Sequence, residues 1–107
     1  MRPDIASLIV LYTKPDDVDG FLAYYRDTHI DIAKTLPGVQ DVSASRITGT
    51  PRGTEAAYFL KAELTFASSD DLMAALGGEE GMNVSRDAMG MTQKFGCSAE
   101  ILLAEDL

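Results

Sequence analysis

The stretch "IASLIVLYT" (Ile5 to Thr13) decides how this chain folds. It is short, apolar and β-branched, and Pro15 ends it, which marks a strand. Its centre, "LIVLY" (Leu8 to Tyr12), does not alternate apolar with polar side chains. Both faces therefore need cover, as in a central strand lying between two layers. Working outward, Asp16, Asp17 and Asp19 supply a cap and an acidic first turn that suit the positive end of a helix dipole. That helix is expected from about Val18 to Thr35, and "LPG" (Leu36 to Gly38) stops it.

Further along, "VQDVSASRIT" (Val39 to Thr48) reads as a second, more polar strand, and "GTPRGTEA" (Gly49 to Ala56) as a hairpin loop. "AYFLKAELTF" (Ala57 to Phe66) alternates: Tyr58, Leu60, Ala62, Leu64 and Phe66 share one face, and Phe59, Lys61, Glu63 and Thr65 the other. "SSDDLMAALGG" opens with serine caps, carries Leu72, Met73 and Leu76 as an apolar stripe, and closes on two glycines, so it reads as a second helix. A short helical piece from roughly Glu80 to Met89 and a last strand in "TQKFGCSAEILLAE" (Thr92 to Glu105) complete the order β-α-β-β-α-β. Four strands and two helices predict an α+β fold, a ferredoxin-like four-stranded antiparallel sheet with its helices on one face. No repeat, low-complexity tract or linker divides the chain, so residues 1–107 read as one domain.

Such a sheet leaves its second face open, yet the strands carry apolar residues in both phases: Leu8, Val10 and Tyr12 against Ile9 and Leu11, Phe66 against Phe59. In the last strand Phe95, Cys97, Ala99 and Ile101 oppose Leu102. An open apolar face of that size is usually an interaction surface. A twofold homodimer with sheets packed face to face is the economical expectation.

Composition narrows the partners. The 107 residues are 46% hydrophobic and 24% charged, an ordinary globular balance. A net charge of −8 disfavours nucleic acid and anionic membrane surfaces. The N-terminal "MRPDIASLIVLYTKPDD" has too short an apolar run for a secretory signal, and no stretch approaches the roughly 20 apolar residues of a membrane span. Cytoplasm is the expected compartment. The single cysteine, Cys97, excludes an intrachain disulfide; Lys94 is its only local activator, and a structural role is expected for it.

"FLAYYRDTHIDIAKTLPGV" (Phe21 to Val39) contains the chain's one histidine. On a regular helix counted from Phe21, Tyr25 falls near about 40°, Ile32 near about 20°, Leu36 near about 60° and His29 near about 80°. His29 thus sits at the edge of the buried stripe, and Tyr25 is its i, i+4 neighbour. Two roles fit that position. His29 either caps the edge of the core through a backbone carbonyl, or points into a cavity and exchanges protons near neutral pH, with Tyr25 orienting it or holding a substrate oxygen.

This segment resembles the signature of the EthD-like proteins of the dimeric α/β-barrel superfamily: an aromatic residue, Tyr-Tyr (Tyr24, Tyr25), a histidine four positions after the second tyrosine, and the stop at Leu36 to Gly38. "LIVLYTKPDD" and the element order are also similar over about 100 residues, whereas "GGEEGMNVSRDAMGM" departs from the pattern. The resemblance implies a ferredoxin-like protomer, a dimer whose sheets form a barrel, and a cavity between sheet and helix that His29 borders. The family's namesake belongs to an ether-degradation locus. The wider superfamily includes lactone isomerases, polyketide cyclases and cofactor-free monooxygenases, and fold alone does not choose among them.

Other chemistry is sparse. Lys61 and Glu63 share one strand face, as a cross-sheet ion pair or as a polar pocket wall in which Glu63 accepts protons. Asp41, Ser43 and Ser45 share a face of an edge strand. One histidine and no cysteine cluster argue against zinc, and no acidic spacing marks a calcium loop. No basic pattern suits haem propionates, and there is no P-loop, dinucleotide fingerprint or nucleophile elbow. Met73, Met82, Met89 and Met91 either fill the core or form an adaptable lid. The function that the resemblance implies is cofactor-independent proton-transfer chemistry (isomerase, cyclase or lactone chemistry) on a hydrophobic oxygenated metabolite in catabolism or secondary metabolism. His29 and Tyr25 are the catalytic candidates, and Phe21, Leu8, Val10, Phe59, Lys61 and Glu63 the candidate substrate contacts. The alternatives are a non-catalytic dimer carrying a hydrophobic small molecule and a structural dimer without a pocket.

Overall fold

A computed structural model gives the fold and describes residues 5–107. Residues 1–4, part of the stretch read above against a secretory signal, lie outside the described residues. The elements are β1 (Ala6–Tyr12), α1 (Val18–Tyr24), a π turn (Tyr25–His29), α2 (Ile30–Ala33), β2 (Val39–Arg46), β3 (Leu60–Phe66), α3 (Ser69–Gly77), α4 (Glu79–Phe95) and β4 (Ala99–Glu105). The strands form one antiparallel sheet in the order β2-β3-β1-β4, the ferredoxin-like arrangement. The unbroken apolar strand is indeed central. Leu8 sits between Leu64 of β3 and Leu103 of β4, and Val10 between Ala62 and Ile101.

Local chemistry sets the helix ends. Asp17 caps α1 by accepting from the Gly20 amide at 3.0 Å, and Ser68 caps α3 by accepting from the Asp71 amide at 3.1 Å. Gly96 ends α4 in the left-handed conformation, with φ 73°.

The first helix differs from a regular one. Its middle turn widens so that the Ile30 amide bonds back to the Tyr25 carbonyl, an i→i−5 step. The buried positions become Phe21, Tyr25, His29, Ala33 and Leu36, with Ala33 replacing the expected Ile32. An even 100° per residue misses this, because the widened turn shifts everything after it.

Three sequence readings need correction. The expected short piece from Glu80 to Met89 is the interior of a 17-residue helix, α4. Its buried Gly81, Met91 and Phe95 follow a helical period that the glycines at 81 and 90 obscured. Thr92 to Phe95 accordingly belong to that helix, and the last strand starts only at Ala99. The third strand likewise starts at Leu60. Phe59, ahead of it, is buried with Phe21 at 6.4 Å between ring centroids, and the Arg46 guanidinium lies 5.0 Å above its ring.

The helix-bearing side of the sheet holds the core: Leu8, Val10 and Tyr12 meet Leu60, Ala62, Leu64 and Phe66 beneath Phe21, Tyr25, Leu72 and Met91. The opposite side is less apolar than the sequence implied once Phe59 leaves it. It carries Ile9, Leu11, Leu102 and Ala104 beside Lys61, Glu63, Thr65 and Ser43, as the register requires. Edge strand β4 exposes Ile101, Leu102 and Leu103 in a row.

Candidate functional site

The helices do not seal the sheet completely. A cavity of about 450 Å³ lies between them, floored by Leu8, Val10, Ala62 and Leu64. Tyr25, His29 and Ala33 of the first helix line it from above, together with Val84, Ala88, Met89 and Thr92 of α4. Tyr12, Cys97 and Ser98 also line it, and the exposed Ile101 borders it on β4.

His29 is only 5% exposed, so its ring must be partnered within the fold. The partner is Asp87 of α4: Oδ2 lies 2.7 Å from His29 Nδ1, and Oδ1 accepts the Tyr24 hydroxyl at 2.5 Å. A carboxylate can only accept, so His29 donates from Nδ1–H, and in the neutral form of the ring Nε2 is then the nitrogen that carries the lone pair. This is the base-plus-orienter arrangement that fixes tautomer and ring plane in acid–base sites, and the carboxylate also stabilises an imidazolium if one forms. His29 is thus neither a plain core residue nor bonded to a backbone carbonyl. Among the described residues it is held by a charged side chain at a cavity wall.

Aromatic packing fixes the tyrosines. Tyr25 stacks on Phe21 with an interplanar angle of 18° and a centroid distance of 6.0 Å, while Tyr12 meets both rings edge-on at 5.3 and 6.0 Å. The His29 ring lies 5.5 Å from that of Tyr25. Burial raises the Tyr25 phenol to about 12. It raises Tyr12 further still, with the neighbouring Tyr25 adding to the shift. The Tyr24 phenol is also raised, chiefly by its bond to Asp87. Burial, and then Asp16, push the Cys97 thiol up, which keeps it a poor nucleophile despite its place on the wall.

Of the residues expected to contact substrate, Leu8, Val10, Tyr25 and His29 line the cavity. The expectation for the other four is corrected. Phe21 and Phe59 are buried in the aromatic core and do not reach the cavity. Lys61 and Glu63 pair with each other at 3.2 Å on the opposite face of the sheet, because odd positions of β3 point away from the helices. Sequence reasoning missed Asp87 and Tyr12. Asp87 was findable: Val84, Ala88, Met91 and Phe95 recur at helical spacing, and an acid flanking that stripe is the natural partner for a lone histidine. Met91 fills the core, whereas Met89 is exposed at the cavity rim and Met73 and Met82 lie on the surface. No group of three or more His, Cys, Asp or Glu side chains suited to a metal ion gathers among the described residues. No described helix is long and apolar enough to cross a membrane.

Comparison with known proteins places this architecture. An ethyl tert-butyl ether degradation (EthD) family protein from Bacillus halodurans is 28% identical, over 96% of this chain and 99% of that one, with a TM-score of 0.86. SnoaB, a cofactor-independent oxygenase from Streptomyces nogalater, is 10% identical over 97% and 94% of the two chains, with a TM-score of 0.67. A dimeric ferredoxin-like protein of unknown function from Bacteroides fragilis is 12% identical over 95% and 96%, with a TM-score of 0.63. At those two identities the likeness is one of fold. No curated protein matches the chain. The EthD domain model matches residues 15–94, from the turn after β1 to the last turn of α4, and the chain therefore belongs to the EthD family.

Proposed function

We propose that this protein is an enzyme of small-molecule catabolism or secondary metabolism that moves a proton on a hydrophobic, oxygenated metabolite without a cofactor. The observation that carries the proposal is the His29–Asp87 pair, 2.7 Å apart, on the wall of a largely apolar cavity. The apolar walls suit a hydrophobic ligand, and the paired imidazole supplies a base whose tautomer is fixed before substrate arrives. The reaction type is isomerisation, cyclisation or lactone chemistry, in which His29 Nε2 takes a proton and returns it to a second position. The oxygenase activity of SnoaB shows that this fold accommodates cofactor-free chemistry in another protein.

The test is deuterium wash-in. Enolisable ketones and lactones are incubated with the protein in heavy water, and exchange at carbon is followed by NMR. His29→Ala is expected to remove the exchange, and exchange that persists in that variant refutes the role of His29. Ligands that bind without exchanging favour the carrier reading, which the apolar walls also support.

We further propose that the protein is a homodimer. β4 is an edge strand with Ile101, Leu102 and Leu103 all at least 40% exposed, on both faces of the sheet, and such an edge invites a partner. A second copy lying over β4 would cover these side chains and narrow the cavity beside Ile101, and the Bacteroides fragilis neighbour is itself dimeric. Sedimentation should give a dimer that Leu102→Glu dissociates. A stable monomer at micromolar concentration refutes the proposal.

A further inference from the structure

The chain has four tyrosines, and their hydroxyls divide in an unexpected way. The two nearer the surface are satisfied: Tyr24 donates to Asp87, and Tyr58 donates to Glu100. The two deepest, Tyr12 at 1% exposed and Tyr25 at 3%, have no hydrogen-bond partner among the described residues. Buried phenols normally find a partner, and one that lacks it calls for an explanation. No side-chain nitrogen or oxygen that is fully sealed from open space lacks a partner among the described residues. The two unpartnered hydroxyls must therefore reach open space, and the space both residues line is the cavity.

Their rings are 6.0 Å apart at 77°, locked by Phe21, and the His29 ring is 5.5 Å from Tyr25. We propose that Tyr12 and Tyr25 form a two-donor oxyanion site that selects ligands with a carbonyl or phenolic oxygen. This deepens the proton-transfer reading and rests on it for the chemistry. His29 Nε2 takes the proton from the carbon next to the carbonyl, and the C–H electron pair moves to oxygen as an enolate. The two phenol O–H groups hold that oxygen, and His29 returns its proton to the same or a conjugated carbon. Nothing is oxidised or reduced. The substrate class is an enolisable ketone or a conjugated, phenol-like carbonyl compound. Burial keeps both phenols protonated at neutral pH, so they act only as donors. Preorganised donors in an apolar site act mainly on developing negative charge.

The probe is p-nitrophenol, whose anion mimics an enolate and absorbs differently from the neutral form, set against p-nitrotoluene of the same shape. The wild-type protein should bind p-nitrophenol as its anion and more tightly than p-nitrotoluene. Tyr12→Phe and Tyr25→Phe should each weaken nitrophenolate binding by roughly tenfold to a hundredfold and leave p-nitrotoluene unchanged. His29→Gln should retain the preference while losing deuterium exchange. Equal binding of the two probes by the wild type overturns the proposal without recourse to any variant. So do equal losses for both probes in the phenylalanine variants, or a preference that vanishes only in His29→Gln. A retained phenolate preference without exchange supports the oxyanion site and sinks the proton-transfer reading alone. Exchange that depends on His29 but survives both phenylalanine substitutions does the reverse.

Discussion

Asp87→Asn separates the role of the carboxylate from its shape. The wild-type carboxylate accepts two donors, His29 Nδ1–H at 2.7 Å and Tyr24 O–H at 2.5 Å, with the side chains of Asp87 and His29 only 15% and 7% exposed. Asparagine fills the same space but offers one acceptor oxygen and one NH₂ group. If the oxygen keeps Tyr24, the NH₂ faces His29 and forces its proton from Nδ1 to Nε2. At least one charge-assisted bond is lost, about 1.5–3 kcal/mol. For a domain of this size that lowers Tm by roughly 10 °C. Urea denaturation measures the stability, and ¹⁵N-edited NMR of the imidazole reads the tautomer directly. Any turnover should fall by about 10²–10⁴-fold, because the lone pair at Nε2 is gone. Tyr24→Phe is the control: it removes one bond to Asp87 and leaves the tautomer unchanged. A variant with wild-type stability, or an Nε2–H tautomer already present in the wild type, would refute the reasoning.

Alkaline unfolding tests the buried phenols. Tyr25 titrates at about 12 in the fold against an ordinary 10.0, so the folded state holds a proton that the unfolded chain releases. Its contribution is intact below pH 10 and lost as pH rises toward about 12, at roughly 1.4 kcal/mol per pH unit and on the order of 3 kcal/mol in all. Tyr25→Phe should flatten the fall of the urea midpoint over that window, and an unchanged slope rejects the burial argument. Gly96→Ala should destabilise by about 1–3 kcal/mol in the same assay, because φ there is 73° and the added carbon would lie 2.3 Å from Asp16 Oδ2. A loss below about 0.5 kcal/mol would mean that the turn relaxes freely.

Residues in regular, strongly patterned segments were legible without coordinates. "LIVLY" lacks alternation, so it had to be central, and β1 is flanked by β3 and β4. Tyr25 and His29 share a helical face by spacing alone, and both line the cavity. Legibility failed where a local rule is bent. Phe59 looked like an odd-phase strand residue, but the strand begins one residue later and the ring turns into the core. The glycines of α4 hid a helix whose cohesion comes from packing Met91 and Phe95.

By itself, the sequence determined the element order, the central strand and the histidine worth following, because periodicity and capping act over a few neighbouring residues. Only the tertiary structure decided what holds His29. Its partner Asp87 lies 58 positions along the chain, and their meeting depends on α4 packing against the first helix. The same holds for Tyr12 and Tyr25. Tyr25 was marked by its spacing from His29, whereas Tyr12 reads as an ordinary core aromatic, and only the tertiary structure brings both to the wall of one cavity.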